Sequence, residues 1–201
     1  MRFSGVSPET GASQRERRAY PAPSSQAARA KRRGPLRIIG IDPGSLITGY
    51  GIVEPIDGRP CHVASGRVVA PAGVPFNGRL RTIYSHLTEV IARHNPEVMA
   101  VEDLFFARNV KTALKLGHVR GVAMLAGLNA GLPIAEYSPL AVKQALVGYG
   151  RAQKEQVQEM VRLLLHLESL PEPDTADALA VAVCHLHSSQ GGGLLCGRQR
   201  R

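Results

Sequence analysis

Residues 37–54 read RIIGIDPGSLITGYGIVE, and the fold turns on how they are parsed. An apolar run at 37–42 ends on Asp42, and Pro43-Gly44 then bends the chain. Aspartate and Pro-Gly both favour turns, so a capped turn accounts for the stretch unless the carboxylate has partners elsewhere. Residues 48–54 and 61–69 form two further short apolar runs, with Asp57-Gly58 as a turn signal between them. Three strands in succession predict an antiparallel meander. From Pro75 the period changes: Leu80, Ile83, Leu87 and Ile91 follow helical spacing and stop before Pro96. Residues 97–102 form a strand ending on Glu102, and 109–130 a long helix. Another strand follows at 132–136. Ser138-Pro139 opens a helix with its cap and first-turn proline, and further helices cover 153–167 and 174–188. Strands first, then strand–helix alternation, predict an α/β fold with a mixed five-stranded sheet flanked by helices.

The 201 residues hold enough apolar side chains (44%) for one sizeable core. No run approaches the roughly 18 apolar residues of a membrane span. Cys61, Cys184 and Cys196 form no C-x-x-C pair, which argues against a disulfide framework or a structural zinc site and fits a reducing, cytoplasmic setting. The net charge of +9 is unevenly placed. Residues 1–34 contribute +6 and 191–201 contribute +3, whereas 35–190 balance 14 basic against 14 acidic groups. The expected organisation is a basic, disordered extension (1–34), one domain (35–190) and a flexible basic tail (191–201). Basic tails add salt-sensitive attraction to a polyanion but specify no chemistry.

The chemistry lies in the carboxylates. Asp42 and Glu102 each end an apolar strand, and parallel neighbours present such ends together. Asp174 and Asp177 stand three residues apart on one helix face, ahead of the apolar run 178–183 that packs that helix on the sheet. Taken singly, Asp174 reads as a cap, Asp177 as a first-turn acid and Glu102 as a solvated strand end. Four converging acids repel one another unless cations neutralise them. Oxygen-only donors favour Mg²⁺ or Mn²⁺, and two such ions suit phosphoryl chemistry.

The basic residues of the body sort around this. Arg108, Lys111, Lys115 and His118 share one helix face, which serves equally as a solvated face or as contacts to phosphates. Ala113, Gly117 and Gly121 make a stripe of small residues suited to close packing or a subunit contact. Lys143 and Lys154 flank a Gly-rich loop. Phe105 and Phe106 follow Glu102 in a loop, as core residues or as an aromatic that stacks on a base.

Four blocks in order, IIGIDPGSLITGYGIVE, VEDLFFARNVKTALKLGHVRG, VKQALVGYGRAQKEQVQEMV and PDTADALAVAVCHLH, resemble the RuvC family of Holliday junction resolvases over nearly all of 37–190. The resemblance implies a ribonuclease H-like fold and a symmetric homodimer. Such enzymes nick opposed strands of a four-way DNA junction, leaving 5′-phosphate and 3′-hydroxyl ends, and work with the RuvA–RuvB branch-migration complex. By the same resemblance Asp42, Glu102, Asp174 and Asp177 match the metal-binding carboxylates, holding two ions per subunit. Lys143 and Lys154 match basic residues near the scissile phosphate, and Phe105 the aromatic placed against bases. Arg108, Lys111 and Lys115 are expected to contact the DNA.

Three other readings remain. An actin-like ATPase or sugar kinase shares the Gly-x-Asp-x-Gly turn but needs a second such lobe. A junction-binding protein without cleavage would lack an acid, and none is missing. A general ribonuclease H-like nuclease is disfavoured by Phe105, the lysines and the small-residue helix.

Overall fold

The computed structural model describes residues 36–103 and 109–191. Five strands, β1 (Ile38–Asp42), β2 (Ile47–Ile56), β3 (Arg59–Val69), β4 (Val98–Glu102) and β5 (Ile134–Tyr137), form one sheet in the order β3-β2-β1-β4-β5. The first three make the expected meander, and β4 and β5 add in parallel beside β1. The β2–β3 hairpin turns on Asp57 and Gly58, both with positive φ (51° and 77°), the conformation that suits Asp-Gly in a two-residue turn.

The helices are α1 (Phe76–His94), α2 (Val110–Asn129), α3 (Pro139–Val147), α4 (Lys154–Leu164) and α5 (Pro173–Gly191). Ser138 caps α3 by accepting from the Ala141 amide at 3.2 Å, with Pro139 in the first turn. Asn109 caps α2 by accepting from the Lys111 amide at 2.9 Å. The helix expected at 153–167 ends three residues early, at Leu164. There the chain turns through His166, whose φ is 51°.

The sheet separates two cores. Ile38, Val53, Val98 and Ala100 face α3, α4 and α5. Ile39, Ile41, Ile52, Met99 and Val101 face α1 and α2. Strand periodicity of two therefore assigns each residue a side. Asp42 follows Ile38 and Gly40 onto the α5 side, and Glu102 follows Val98 and Ala100. Helix α5 is apolar around its circumference: Ala178, Leu179, Ala180, Val181, Ala182 and Val183 are all fully buried, as expected of a helix sandwiched between a sheet and other helices. Burying a residue such as Leu179 contributes about 2 kcal/mol.

Among the described residues, no helix is long and apolar enough to cross a membrane.

Candidate active site

Asp42 and Glu102 occupy equivalent ends of parallel neighbours, one register step beyond the Ile41–Val101 pair. What brings α5 down to them is a group of strand glycines. A Cβ on Gly40 would collide with the Ala178 carbonyl oxygen, and one on Gly49 with the Asp174 carbonyl oxygen. A Cβ on Gly51 would meet the Leu179 side chain. Gly40 pairs with Gly51 and Asp42 with Gly49 across β1 and β2, so the glycines form one smooth patch. The first turn of α5 lies directly on the sheet there, which sets Asp174 and Asp177 beside Asp42.

The electrostatics register this proximity. Burial first, then the charges of Asp177 and Asp174, push the Asp42 carboxyl up to about 7, with Lys154 pulling the other way. Burial, Asp42 and Asp177 likewise push Glu102 up to about 7, against Lys154 and Lys143. Both acids therefore resist ionisation unless more positive charge arrives.

Lys154, the first residue of α4, supplies part of it: its Nζ lies 2.7 Å from Asp177 Oδ2. That hydrogen bond, opposed by burial and reinforced by the charges of Asp177, Asp42 and Asp174, holds the ammonium above its ordinary pKa. The loop that presents Lys154 is fixed by Gly148, in the left-handed region that closes α3. At its far end the Gln153 amide donates to Gln156 Oε1 at 2.8 Å. Glu102, Lys143, Lys154 and Asp177 line a cleft of about 160 Å³, walled by Pro139, Val142, Val157 and Ala180.

As donors, four carboxylates with two pKa values raised by burial and mutual repulsion suit a hard divalent cation. Among the described residues, no three His, Cys, Asp or Glu side chains are grouped so as to hold a metal ion. The Lys154 ammonium already holds one of the candidate donors, Asp177.

Six residues expected from the sequence thus gather at one sheet edge: Asp42, Glu102, Asp174, Asp177, Lys143 and Lys154. Lys111 and Lys115 do not join them; both lie exposed on α2, which packs on the other face of the sheet. Phe105 and Arg108 lie outside the described residues, as do residues 1–35. Sequence reasoning missed Arg120. Its Nε donates to the Glu102 carbonyl at 3.3 Å, and its guanidinium pairs with Asp103 at 3.5 Å and with Glu136. It therefore fixes the backbone that carries Glu102. The alternate glycines at 49 and 51 were the available sign of the close α5 contact.

Comparison with known proteins agrees with this arrangement. The family described as crossover junction endodeoxyribonuclease RuvC matches residues 38–185. The RuvC of Syntrophotalea carbinolica is 57% identical over 152 residues, 76% of this chain and 94% of that protein. That of Alkalilimnicola ehrlichii is 58% identical over 153 residues, 76% of this chain and 92% of that protein. The structure of Thermus thermophilus RuvC in complex with a Holliday junction substrate superposes with a TM-score of 0.74 at 37% identity, covering 78% of this chain and 96% of that one. A yeast mitochondrial Holliday junction resolvase shares the fold at 14% identity, with a TM-score of 0.61 over 80% of this chain and 82% of that one.

Proposed function

The chain belongs to the RuvC family of crossover junction endodeoxyribonucleases, and from that premise we propose that it resolves four-way (Holliday) DNA junctions in recombination and repair. It does so by paired, symmetric nicks in opposed strands, leaving 5′-phosphate and 3′-hydroxyl ends. The observation that carries the reading is the meeting of Asp42, Glu102, Asp174 and Asp177 with Lys143 and Lys154 at one sheet edge.

In this reading the four carboxylates hold divalent ions, Mg²⁺ or Mn²⁺, two per subunit. Bound there, the ions supply activation of a water for in-line attack on phosphorus and stabilisation of the leaving 3′-oxygen. Lys154 releases Asp177 as the site fills, and its ammonium then lies free to offset charge developing on the scissile phosphate. Lys143, across the same cleft, serves the same phosphate. Arg120 keeps Glu102 in place while its carboxylate changes partners. Phe105 stacks on a base near the cut, and Arg108, Lys111 and Lys115 contact the DNA backbone.

Two cuts need two sites related by symmetry. Helix α2 supports a homodimer: Val110, Leu114, Leu125 and Leu128 are 75%, 59%, 49% and 55% exposed. With Gly117 and Gly121 they follow spacings of three and four along one face, a row suited to a second copy of the helix. The work of such an enzyme places it in the cytoplasm, downstream of the RuvA–RuvB branch-migration complex. The basic segments 1–34 and 191–201 add non-specific attraction to DNA around the domain at 35–190.

Replacing Asp42 with Asn tests the assignment. Single-turnover cutting of a synthetic four-way junction should fall about a thousandfold, since metal-borne stabilisation amounts to several kcal/mol. Junction binding in a gel-shift assay should stay within a few-fold of the parent. Cleavage by the variant in Mg²⁺ at the parental rate would sink the carboxylate assignment. Parental cutting of plain duplex or RNA–DNA hybrid as fast as junction would sink the substrate.

A further inference from the structure

On the face of the sheet away from the acid-lined cleft, a second set of charged side chains gathers round one aromatic ring. Phe76, the first residue of α1, is half-buried against the core beneath α1 and α2. The Arg79 guanidinium carbon lies 5.3 Å from its ring centroid, and Lys115 Nζ, from α2, lies 5.9 Å from it. The His118 ring meets it edge-on, with centroids 5.9 Å apart and planes at 86°. Arg79 Nη1 also donates to the Ser45 carbonyl at 3.0 Å, so the guanidinium abuts the turn that follows Asp42. His118 Nδ1 donates to the Leu114 carbonyl at 2.6 Å, which fixes the ring; Nε2 can donate to an anion only in the imidazolium form.

This group is unbalanced in charge. No ion pair among the described residues joins Arg79, Lys115 or His118 to a carboxylate. The Arg79 Nε is buried and has no acceptor. Neither α1 nor α2 carries an acid in its first turn, and α1 starts without a side-chain cap, so the positive end of its dipole is uncompensated. Half-buried Arg79 thus keeps one donor unsatisfied, which an added acceptor beside the group would meet. Contact with an aromatic face holds two cationic heads in place without neutralising either.

We propose that Arg79, Lys115 and His118, oriented on Phe76, form a phosphate-binding subsite for the DNA strand that enters the active site. The subsite takes a backbone phosphodiester near the one being cut, and the Ser45 contact sets it at a fixed offset from Asp42. This rests on the reading of the substrate as junction DNA. It adds two residues of α1, Phe76 and Arg79, and a histidine of α2 to the contacts expected along α2.

The test uses the full chain in metal-free buffer, with affinity for a fluorescent four-way junction measured by anisotropy across a range of KCl. Removing one cation that neutralises a phosphate should make the slope of log affinity against log salt shallower by about 1. Arg79→Gln and Lys115→Gln should each show that change, with several-fold weaker binding at moderate salt. Arg79→Lys keeps the charge and should keep the slope. Single-turnover cutting in Mg²⁺ is measured alongside, at enzyme concentrations that saturate the junction. Unchanged slopes in the two Gln variants would overturn the subsite. So would an Arg79→Gln variant with unchanged slope and slowed cutting at saturation, because Arg79 would then only brace the turn beyond Asp42. If Arg79→Gln does not fold, the exposed Lys115 and the Arg79→Lys variant decide. Failure of the parent to bind or cut junctions would instead overturn the functional reading itself.

Discussion

Two rows of glycine in this protein have opposite surroundings. On β1 and β2, Gly40, Gly49 and Gly51 lie under α5 so closely that a Cβ on any of them would overlap the helix. On α2, Gly117 and Gly121 have nothing within 4 Å of where a Cβ would stand. The first row is filled by the chain's own helix and determines how close Asp174 and Asp177 come to Asp42. The second is bare in the single chain and lies between exposed Val110, Leu114, Leu125 and Leu128. Absence of a side chain therefore draws α5 onto the acids on one side of the sheet and leaves an open face on the other. Substitution separates the two roles.

The largest effect is expected at Gly49. A methyl there must displace the Asp174 carbonyl, which is backbone and cannot swing aside. Overpacking of this kind costs about 2 kcal/mol, or roughly 5 °C in Tm for a domain of this size. The shift carries Asp174 away from Asp42, and misplacement of a reacting group by about 1 Å costs on the order of a hundredfold in rate. Gly49→Ala should therefore lose activity far beyond its loss of stability, as read by single-turnover cutting well below the melting temperature. Parental activity in the folded variant would break the link between the glycine patch and the acids.

The close approach also has a pH signature. Asp42 and Glu102 titrate near 7 in the folded chain but near 4 when unfolded. Between those values the native state keeps protons that the unfolded state has lost. Stability of the metal-free protein is thus highest below about pH 4 on account of these groups and declines as pH rises towards 7. Differential scanning calorimetry of the parent and of Asp42→Asn should show a shallower decline in the variant. Millimolar Mg²⁺ should flatten the parental curve, because a bound cation removes the reason to retain protons. Parallel curves for parent and variant would show that the acids do not sense one another.

Much of this is legible in the sequence because it depends on local rules. The acid at the end of each apolar run, the Ser138-Pro139 start and the Asp57-Gly58 turn are decided within a few residues. The proximity of α5 is not, although Gly49 and Gly51 at alternate positions put two missing side chains on one face of β2 and Gly40 pairs with Gly51 across the sheet. That signal emerges only when strand pairing is known. The Lys154–Asp177 contact and the Arg120 brace are equally out of reach, since each joins elements whose spacing in the fold no local pattern encodes. The helix face of Lys111, Lys115 and His118 is visible from spacing alone, but its partners Phe76 and Arg79 belong to a different helix with its own apolar period.

The smallest effect tests the other glycine row. Gly117→Ala adds a methyl where the single chain offers no obstruction, and alanine is favoured over glycine in a helix by up to about 1 kcal/mol. At concentrations low enough to keep the chain monomeric, the variant should therefore melt no lower than the parent and up to roughly 3 °C higher. If α2 meets a second copy through this row, the same methyl holds the two helices apart and weakens the dimer. Sedimentation equilibrium should then show a dissociation constant raised several-fold, with paired cuts replaced in part by single nicks. A variant that is more stable as a monomer and less stable as a dimer would locate the contact at Gly117. A dimer of undiminished affinity would move it off this face, while the acids under α5, which depend on a contact within one chain, would be unaffected.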